Sequence, residues 1–341
     1  MRKDYLRLSF IYVGTIIGAG FASGREIVDF FGIYGVKGFW GIIISSILFS
    51  LIGSFLLIQV HKNNIKNYKE LIDYLFGEKI GFVVDTIITF SLFTGFCVMV
   101  SGSGAIFHEE FGLSLNIGIY LMAIICFIVF LFSLKGLSFI NSVLVPILII
   151  GIVFIGLNVV LEEGLSFSNI YGVNMTNKGN IITSSFLYVS FNSLLIFVVF
   201  SSLGPLIKDK KVAIKGGIIG GTILGILGIF ILLPLLIHYS EVYSLEIPML
   251  KVSGYAGGIY RKYFSFIILI AMFTTAIANG FGFNERVLKG EKNPLFSLLF
   301  CLISIPLAKL GFSTLVKFLY PIYGYIGVTI IIIMMLKSIR T

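Results

Sequence analysis

Apolar runs of about twenty residues, repeated down the chain between short polar breaks, constrain this sequence more than any other feature. Such a run, coiled as an α-helix, crosses the roughly 30 Å hydrocarbon layer of a bilayer, where only helices and closed barrels satisfy every backbone polar group. About ten spans are predicted, over residues 8–33, 38–60, 80–107, 116–134, 138–161, 181–204, 212–238, 258–286, 293–309 and 312–337. Composition agrees: of 341 residues 57% are hydrophobic and 12% charged, against roughly 25% charged in a soluble domain, and the mean hydropathy is +1.05. The expected fold is an all-α polytopic membrane protein, a single transmembrane domain over 1–341.

The first run, Leu8 to about Gly32, is too long for a cleavable signal and no small-residue cleavage site follows, so it counts as a permanent span. With the N-terminus inside, Arg2, Lys3, Arg7, Lys62, Lys66, Lys69, Lys79, Lys135, Lys208, Lys210, Lys211, Lys215, Arg286, Lys289, Lys292, Lys337 and Arg340 are cytoplasmic. Arg25, Lys37, Lys178, Lys251, Arg261, Lys262, Lys309 and Lys317 then lie at the outer ends. That bias and an even number of spans put both termini in the cytoplasm. The net charge of +9 is thus a topology signal, and it implies no nucleic-acid partner.

The segment from His61 to Lys79 has mixed charges with Tyr68, Leu71, Ile72 and Leu75 at helical spacing, which predicts an amphipathic cytoplasmic helix. Tyr239 to Gly258, on the outer side, contains Pro248 and the apolar patch Ile247 to Leu250. It reads equally as a plain connection or as a segment folded back over an outer vestibule. Cys97, Cys126 and Cys301 sit in separate apolar runs as small buried hydrophobes, and His61, His108 and His238 form no ligand cluster. No carboxylate pair or nucleophile–base set stands at one depth, which disfavours an enzyme, and no ring-forming selectivity motif suggests a channel.

Chemistry concentrates in the first span, in Gly14-Thr15-Ile16-Ile17-Gly18-Ala19-Gly20-Phe21-Ala22-Ser23-Gly24. Each glycine costs a helix about 1 kcal/mol relative to alanine, so this stretch is predisposed to unwind near mid-membrane. Unwound backbone is tolerated there only where it faces protein, water or a ligand. Freed carbonyls suit a cation, and the amides opening the outer half-helix suit an anionic group such as a carboxylate. The competing reading is close helix packing through the small-xxx-small pairs Gly14/Gly18 and Gly20/Gly24. Packing also accounts for Gly216, Gly217, Gly220, Gly221, Gly225 and Gly228 in the seventh span.

In the eighth span Ala271, Thr274 and Thr275 stand at i, i+3 and i+4, so one face offers two hydroxyls and a carbonyl, neutral oxygen ligands that suit Na⁺. Bonding of those hydroxyls back to their own helix is the alternative.

The GTIIGAGFASG stretch in a first span resembles the amino acid–polyamine–cation superfamily, and GAGFASGREIVDFFGIYG resembles the YkvI-type bacterial membrane proteins. The resemblance implies a LeuT-like fold of two inverted five-helix repeats, about 8–161 and 181–337, in the bacterial cytoplasmic membrane. It implies a Na⁺ site at Gly14, Ile17, Ala271, Thr274 and Thr275. It implies a pocket for an amino acid or related small zwitterion or amine, formed by Gly18, Ala19, Gly20, Phe21, Ala22, Tyr188, Ser190 and Asn192 with Ser91 and Thr94. An outer gate is expected from Glu26 or Asp29 pairing with Lys317, with Arg25 nearby; snorkelling of all four to the headgroups is the alternative. The sixth span, with only Ser190, Asn192 and Ser193 as candidates for an irregular turn, fits the superfamily pattern less well. Proton-coupled members place a lysine from the fifth span at the ion site, and Ser138 to Leu161 has none, which favours Na⁺ over H⁺. The expected function is Na⁺-coupled symport, with a proton-coupled transporter and a germinant-receptor-like solute sensor as alternatives.

Overall fold

The computed structural model describes residues 2–132, 137–165, 167, 180–288 and 293–340; Lys135, Lys178, Lys289 and Lys292, counted above for orientation, lie outside the described residues. The first apolar run is divided into α1 (Arg2–Ile16), α2 (Ala19–Ser23) and α3 (Arg25–Phe30), followed by a 3₁₀ turn at Gly32–Lys37. There follow α4 (Gly38–Lys62), α5 (Tyr68–Glu109), α6 (Leu115–Leu131), α7 (Leu137–Glu163) and α8 (Ile181–Phe200). The remainder comprises α9 (Lys210–Ile237), α10 (Tyr239–Val242), α11 (Pro248–Tyr255), α12 (Gly258–Leu288), α13 (Pro294–Ala308) and α14 (Phe312–Arg340). Among the described residues α4, α5, α7, α8, α9, α12 and α14 are long and apolar enough to cross a membrane, and α6 and α13 are apolar but shorter.

The segment expected as a separate cytoplasmic helix is the start of α5. Asn67 accepts from the Glu70 amide at 2.9 Å while Glu70 accepts from the Lys66 amide at 2.8 Å, a reciprocal cap that fixes where the helix begins. Leu71, Ile72 and Leu75 are buried, and Gly77, at φ 72°, bends this amphipathic start into the span. The cysteines at 97, 126 and 301 are free and buried in apolar surroundings.

The closest helix packing is between α4 and α9. Gly217, Gly221 and Gly225 recur every four residues on one face of α9, and Ser54, Ser50 and Ser46 recur in reverse order on α4, so two antiparallel rows of small residues meet. The serine hydroxyls cross the seam to α9 carbonyls: Ser46 to Gly221 at 2.9 Å, Ser50 to Ile218 at 3.3 Å and Ser54 to Ile214 at 3.1 Å. On the adjoining face of α9, Gly216 and Gly220 admit Leu8 and Tyr12 of α1. The Tyr12 hydroxyl reaches the Phe49 carbonyl at 2.8 Å, and Ser9 donates to the Gly216 carbonyl at 3.0 Å. In this way α1 is held by α4 and α9 up to the residue where it stops.

One end of the bundle, the one expected to face outward, is closed by the segment after α9. Ile247, Met249, Leu250 and Val252 are wholly buried, so this segment folds inward as a cap. Gly24, in the left-handed region at φ 79°, lies under Met249, where a side chain would meet the Met249 Cγ at 2.7 Å. Arg25, itself buried, ion-pairs with Asp29 and donates to the carbonyls of Tyr243 at 2.8 Å and Leu245 at 2.9 Å. Glu246 accepts from the Ser313 amide at 2.5 Å at the start of α14, and the Glu246 amide donates to Glu109 at 2.8 Å. The cap is thereby tied to the first, third and tenth spans.

Two expectations follow. Gly221→Ala places a methyl 2.5 Å from the Ser50 amide nitrogen and 2.8 Å from its Cα, backbone that cannot rotate aside. It should destabilise the protein by about 1–3 kcal/mol, the usual cost of overpacking, measured as a lower melting temperature in detergent; an unchanged value would refute the close seam. Arg25→Gln leaves Asp29 buried without its cation, at a cost of about 3–5 kcal/mol for a broken buried pair. Amide hydrogen exchange across residues 243–252 should accelerate while the α4–α9 seam stays protected; unchanged exchange in the cap would show that Arg25 does not hold it.

Candidate functional site

The first span unwinds where its glycines predict. The Gly18 amide turns to the Ile16 carbonyl at 2.9 Å instead of continuing the ladder to Gly14, and Gly18 is extended at φ −109°, ψ −171°. The ladder resumes only with the Ala22 amide on the Gly18 carbonyl at 3.0 Å. The carbonyls of Gly14, Thr15 and Ile17 and the amides of Ala19, Gly20 and Phe21 are thereby left outside it. All six lie between Gly14 and Phe21, in a segment where Ala19, Phe21 and Ala22 are buried.

α12 faces this break. A methyl on Gly18 would stand 3.6 Å from the Thr275 Oγ1, so the unwound backbone and the hydroxyl pair of the eighth span are neighbours. Thr274 is buried and its hydroxyl donates to the Ala271 carbonyl at 3.1 Å. That back-bond uses the proton and leaves lone pairs on the oxygen, which a cation can still use. Gly14 packs against Val145 of α7, at 3.6 Å from where its side chain would begin.

The sixth span departs from the superfamily pattern. α8 runs unbroken from Ile181 to Phe200, with no irregular turn at Ser190, Asn192 or Ser193. Without glycine or proline nothing interrupts its ladder, and its polar side chains bond back: Asn192 to the Tyr188 carbonyl at 3.0 Å and Ser193 to the Val189 carbonyl at 2.7 Å. Ser190 is packed on Gly327 of α14. Nearer its start, α8 sends the Ser184 hydroxyl to the Phe30 carbonyl at 2.6 Å and so secures the end of α3. Of the first and sixth expected spans, the first is the one that frees peptide groups at its middle.

The acidic residues of α3 divide unexpectedly. Asp29 is neutralised by Arg25, four residues earlier on the same turn. Lys317 is exposed on α14 and reaches neither Asp29 nor Glu26, so the expected gate pair is not formed; the buried guanidinium has taken the carboxylate that Lys317 was to meet. Glu26 instead points inward. The left-handed turn at Gly24 folds it back beside Gly20, where a methyl on Gly20 would collide with the carboxylate, standing 3.1 Å from its carbon and 3.4 Å from the Tyr320 hydroxyl. Glu26 is 5% exposed, and its Oε2 has no hydrogen-bond partner. Tyr188 is close enough to interact electrostatically with this carboxylate, yet its hydroxyl is also buried and without a hydrogen bond of normal geometry. Around the pair stand Phe30 and Phe31, whose rings lie 5.3 and 5.0 Å from that of Tyr188, while Phe191 stacks on Tyr320 at 4.0 Å.

The expected pocket is therefore only partly assembled. Thr94 of α5 is bound to the Tyr323 hydroxyl at 2.8 Å, and Ser91 bonds back to the Ile88 carbonyl at 2.7 Å. Beside Tyr188 a crevice large enough for about one water is bounded by Phe21, Phe31, Ser45, Phe49 and Leu224. Its lining includes none of Ser91, Thr94, Ser190 or Asn192. Tyr320 and Tyr323 were not foreseen. Their signal is visible in Tyr320-Pro321-Ile322-Tyr323, two hydroxyls at i and i+3 on one face of an apolar span, which here connect Thr94 on one side to Glu26 on the other.

No protein-family model matches the chain. Among solved structures, a variant of the Eremococcus coleocola manganese transporter aligns over 96% of this chain and 78% of its own, with TM-score 0.65 and 15% identity. Mhp1 in its inward-facing conformation aligns over 94% and 72%, with TM-score 0.65 and 15% identity. Identities this low establish a shared fold, the LeuT-like one. Among curated proteins, YyaD of Bacillus subtilis is 26% identical over 337 residues, 98% of this chain and 97% of that protein. The membrane protein YkvI of Bacillus subtilis is 32% identical over 333 residues, 95% of this chain and 93% of that protein. At that level of identity along nearly the whole of both sequences, the chain belongs to the YkvI family of membrane proteins.

Proposed function

We propose that the chain is a secondary transporter of the bacterial cytoplasmic membrane, moving a small amino acid-like or amine solute by alternating access with Na⁺ as the coupling ion. The observation that carries this reading is the broken first span set against Thr275 of α12, in a fold shared with a manganese transporter and with a nucleobase-cation-symport transporter. Backbone is bared inside a bilayer only where protein, water or a ligand receives it, and transporters of this fold use such breaks to hold ions and solutes. Two five-span repeats, about 8–161 and 181–337, place α4 and α9 as counterparts, and both termini are cytoplasmic by the charge bias of the loops.

Na⁺ in this scheme is held by the carbonyls of Gly14, Ile17 and Ala271 with the hydroxyls of Thr274 and Thr275. Its role is to bias the conformational equilibrium, since a ligand shifts a population only by its differential affinity for the two states. The closed cap defines a state shut to the outside, and the opposite state requires release of the Arg25 and Glu246 contacts.

The test is Na⁺-dependent thermal stabilisation of the purified protein, compared with K⁺. Na⁺ should raise the melting temperature of the wild type. Thr274→Ala combined with Thr275→Ala should weaken Na⁺ affinity by roughly tenfold, about 1.4 kcal/mol. A Na⁺ shift that survives the double substitution undiminished would refute the site.

A further inference from the structure

The geometry points to Glu26, with Tyr188 and Tyr320, as the receptor for a primary ammonium group of the transported solute, so that the substrates are organic amines presenting their cation to the first span. This deepens the transporter reading and rests on it. The argument begins with what Glu26 lacks. It is 5% exposed inside a membrane-spanning bundle, and among the described residues no Lys, Arg or His pairs with it, because Arg25 is committed to Asp29 and to two cap carbonyls. A carboxylate taken out of water is costly unless a cation and hydrogen bonds compensate it, and intramembrane carboxylates that persist mark ligand or ion paths.

The chemistry of its surroundings selects the cation. Three side chains meet: Glu26, whose Oε2 has no hydrogen-bond partner; Tyr188, whose buried hydroxyl interacts with that carboxyl but makes no hydrogen bond of normal geometry; and Tyr320, whose hydroxyl shares the Gly20 surface with Glu26 Oε1. A primary ammonium has three N–H donors, matching three acceptors. The rings of Phe30 and Phe31 stand against Tyr188 and that of Phe191 against Tyr320, and aromatic rings attract organic cations. A hard metal ion is a poorer match, since Ca²⁺ takes six to eight oxygen ligands and Mg²⁺ six, and among the described residues no group of three or more His, Cys, Asp or Glu could hold a metal.

The same geometry argues against a substrate carboxylate at this level. The anionic group expected at the amides of the outer half-helix would have to share the Gly20 surface with Glu26. Moreover α2 has only five residues before the turn at Gly24, too few to sustain a helix dipole. The first span therefore offers a cation site where an anion site was expected.

Matched trios test this: an amino acid, the amine left by its decarboxylation and the acid left by its deamination, for leucine, phenylalanine and alanine skeletons. Each is scored by the melting temperature of the full-length purified protein, wild type and Glu26→Gln, in Na⁺. At least one amine should stabilise the wild type, its acid should not, and Glu26→Gln should remove the amine shift while melting, without ligand, at or above the wild-type temperature. Glu26→Asp should retain part of the shift. Stabilisation by the acid members, by Mn²⁺ alone, or equally in both variants would overturn the assignment, as would the absence of any amine effect. The Na⁺ shift of the Thr274/Thr275 experiment is read on the same samples. Absence of any amine effect in the wild type with an intact Na⁺ shift rejects the Glu26 role alone, whereas absence of both shifts in the wild type rejects the transporter site.

Discussion

A peptide group deprived of its helical partner cannot face lipid, at several kcal/mol for each exposed donor or acceptor, and the break between Ile17 and Gly18 deprives several at once. The surrounding bundle is organised to shelter that break. The glycine and serine rows of α4 and α9 bring two helices close enough for hydroxyls to reach across backbone, and Gly220 on the adjoining face of α9 leaves room for Tyr12. Tyr12 then fastens α1 one turn below its end, with its hydroxyl on the Phe49 carbonyl and its ring against Phe200 at 4.9 Å. The helix is thus rigid up to the break and supported immediately beyond it by α12.

Charge follows from the same backbone geometry. A continuous first helix would carry Glu26 about one and a half turns beyond the glycines, near the outer surface, where pairing with α14 is the natural expectation. The left-handed residue at Gly24 shortens that path and folds residue 26 back beside residue 20. Of the two acidic groups in α3, only Asp29 stands one turn from Arg25 in the geometry of an i, i+4 pair. The guanidinium therefore goes to Asp29, and the Glu26 carboxyl is left in the interior without a cation.

Features set by hydrophobicity over many residues were readable in the sequence: the apolar runs and the amphipathic start of α5; for the patch from Ile247 to Leu250, folding back and a plain connection stood level until its burial was known. The unwinding at Ile17 and Gly18 was readable too, because glycine density is a local property of the chain. The features that escaped are decided by contacts between distant residues. Whether Ser190, Asn192 and Ser193 would interrupt α8 depends on whether their side chains find their own helix or a neighbour, and they find their own helix. Glu26 escaped because one backbone angle at Gly24 changes the direction of everything after it. Tyr320 and Tyr323 escaped because a tyrosine in an apolar span looks like packing until its neighbours are known.

The two interruptions in the first span also determine where motion can occur. α1 is bound to α9 through Ser9 and to α4 through Tyr12. α3 is bound to α8 through Ser184 and to the cap through Arg25. Between them α2 makes neither kind of attachment, yet it carries Gly20 against Glu26 and leads out of the residue that meets Thr275. In the proposed transport cycle, movement of α1 relative to α3 would be absorbed at residues 17–18 and at Gly24, where the i→i−4 ladder of the first span is already interrupted. Under the proposed function, an ion and a solute group bound at these two interruptions would act on the hinges themselves. Coupling between them then needs no longer path through the protein than the five residues of α2.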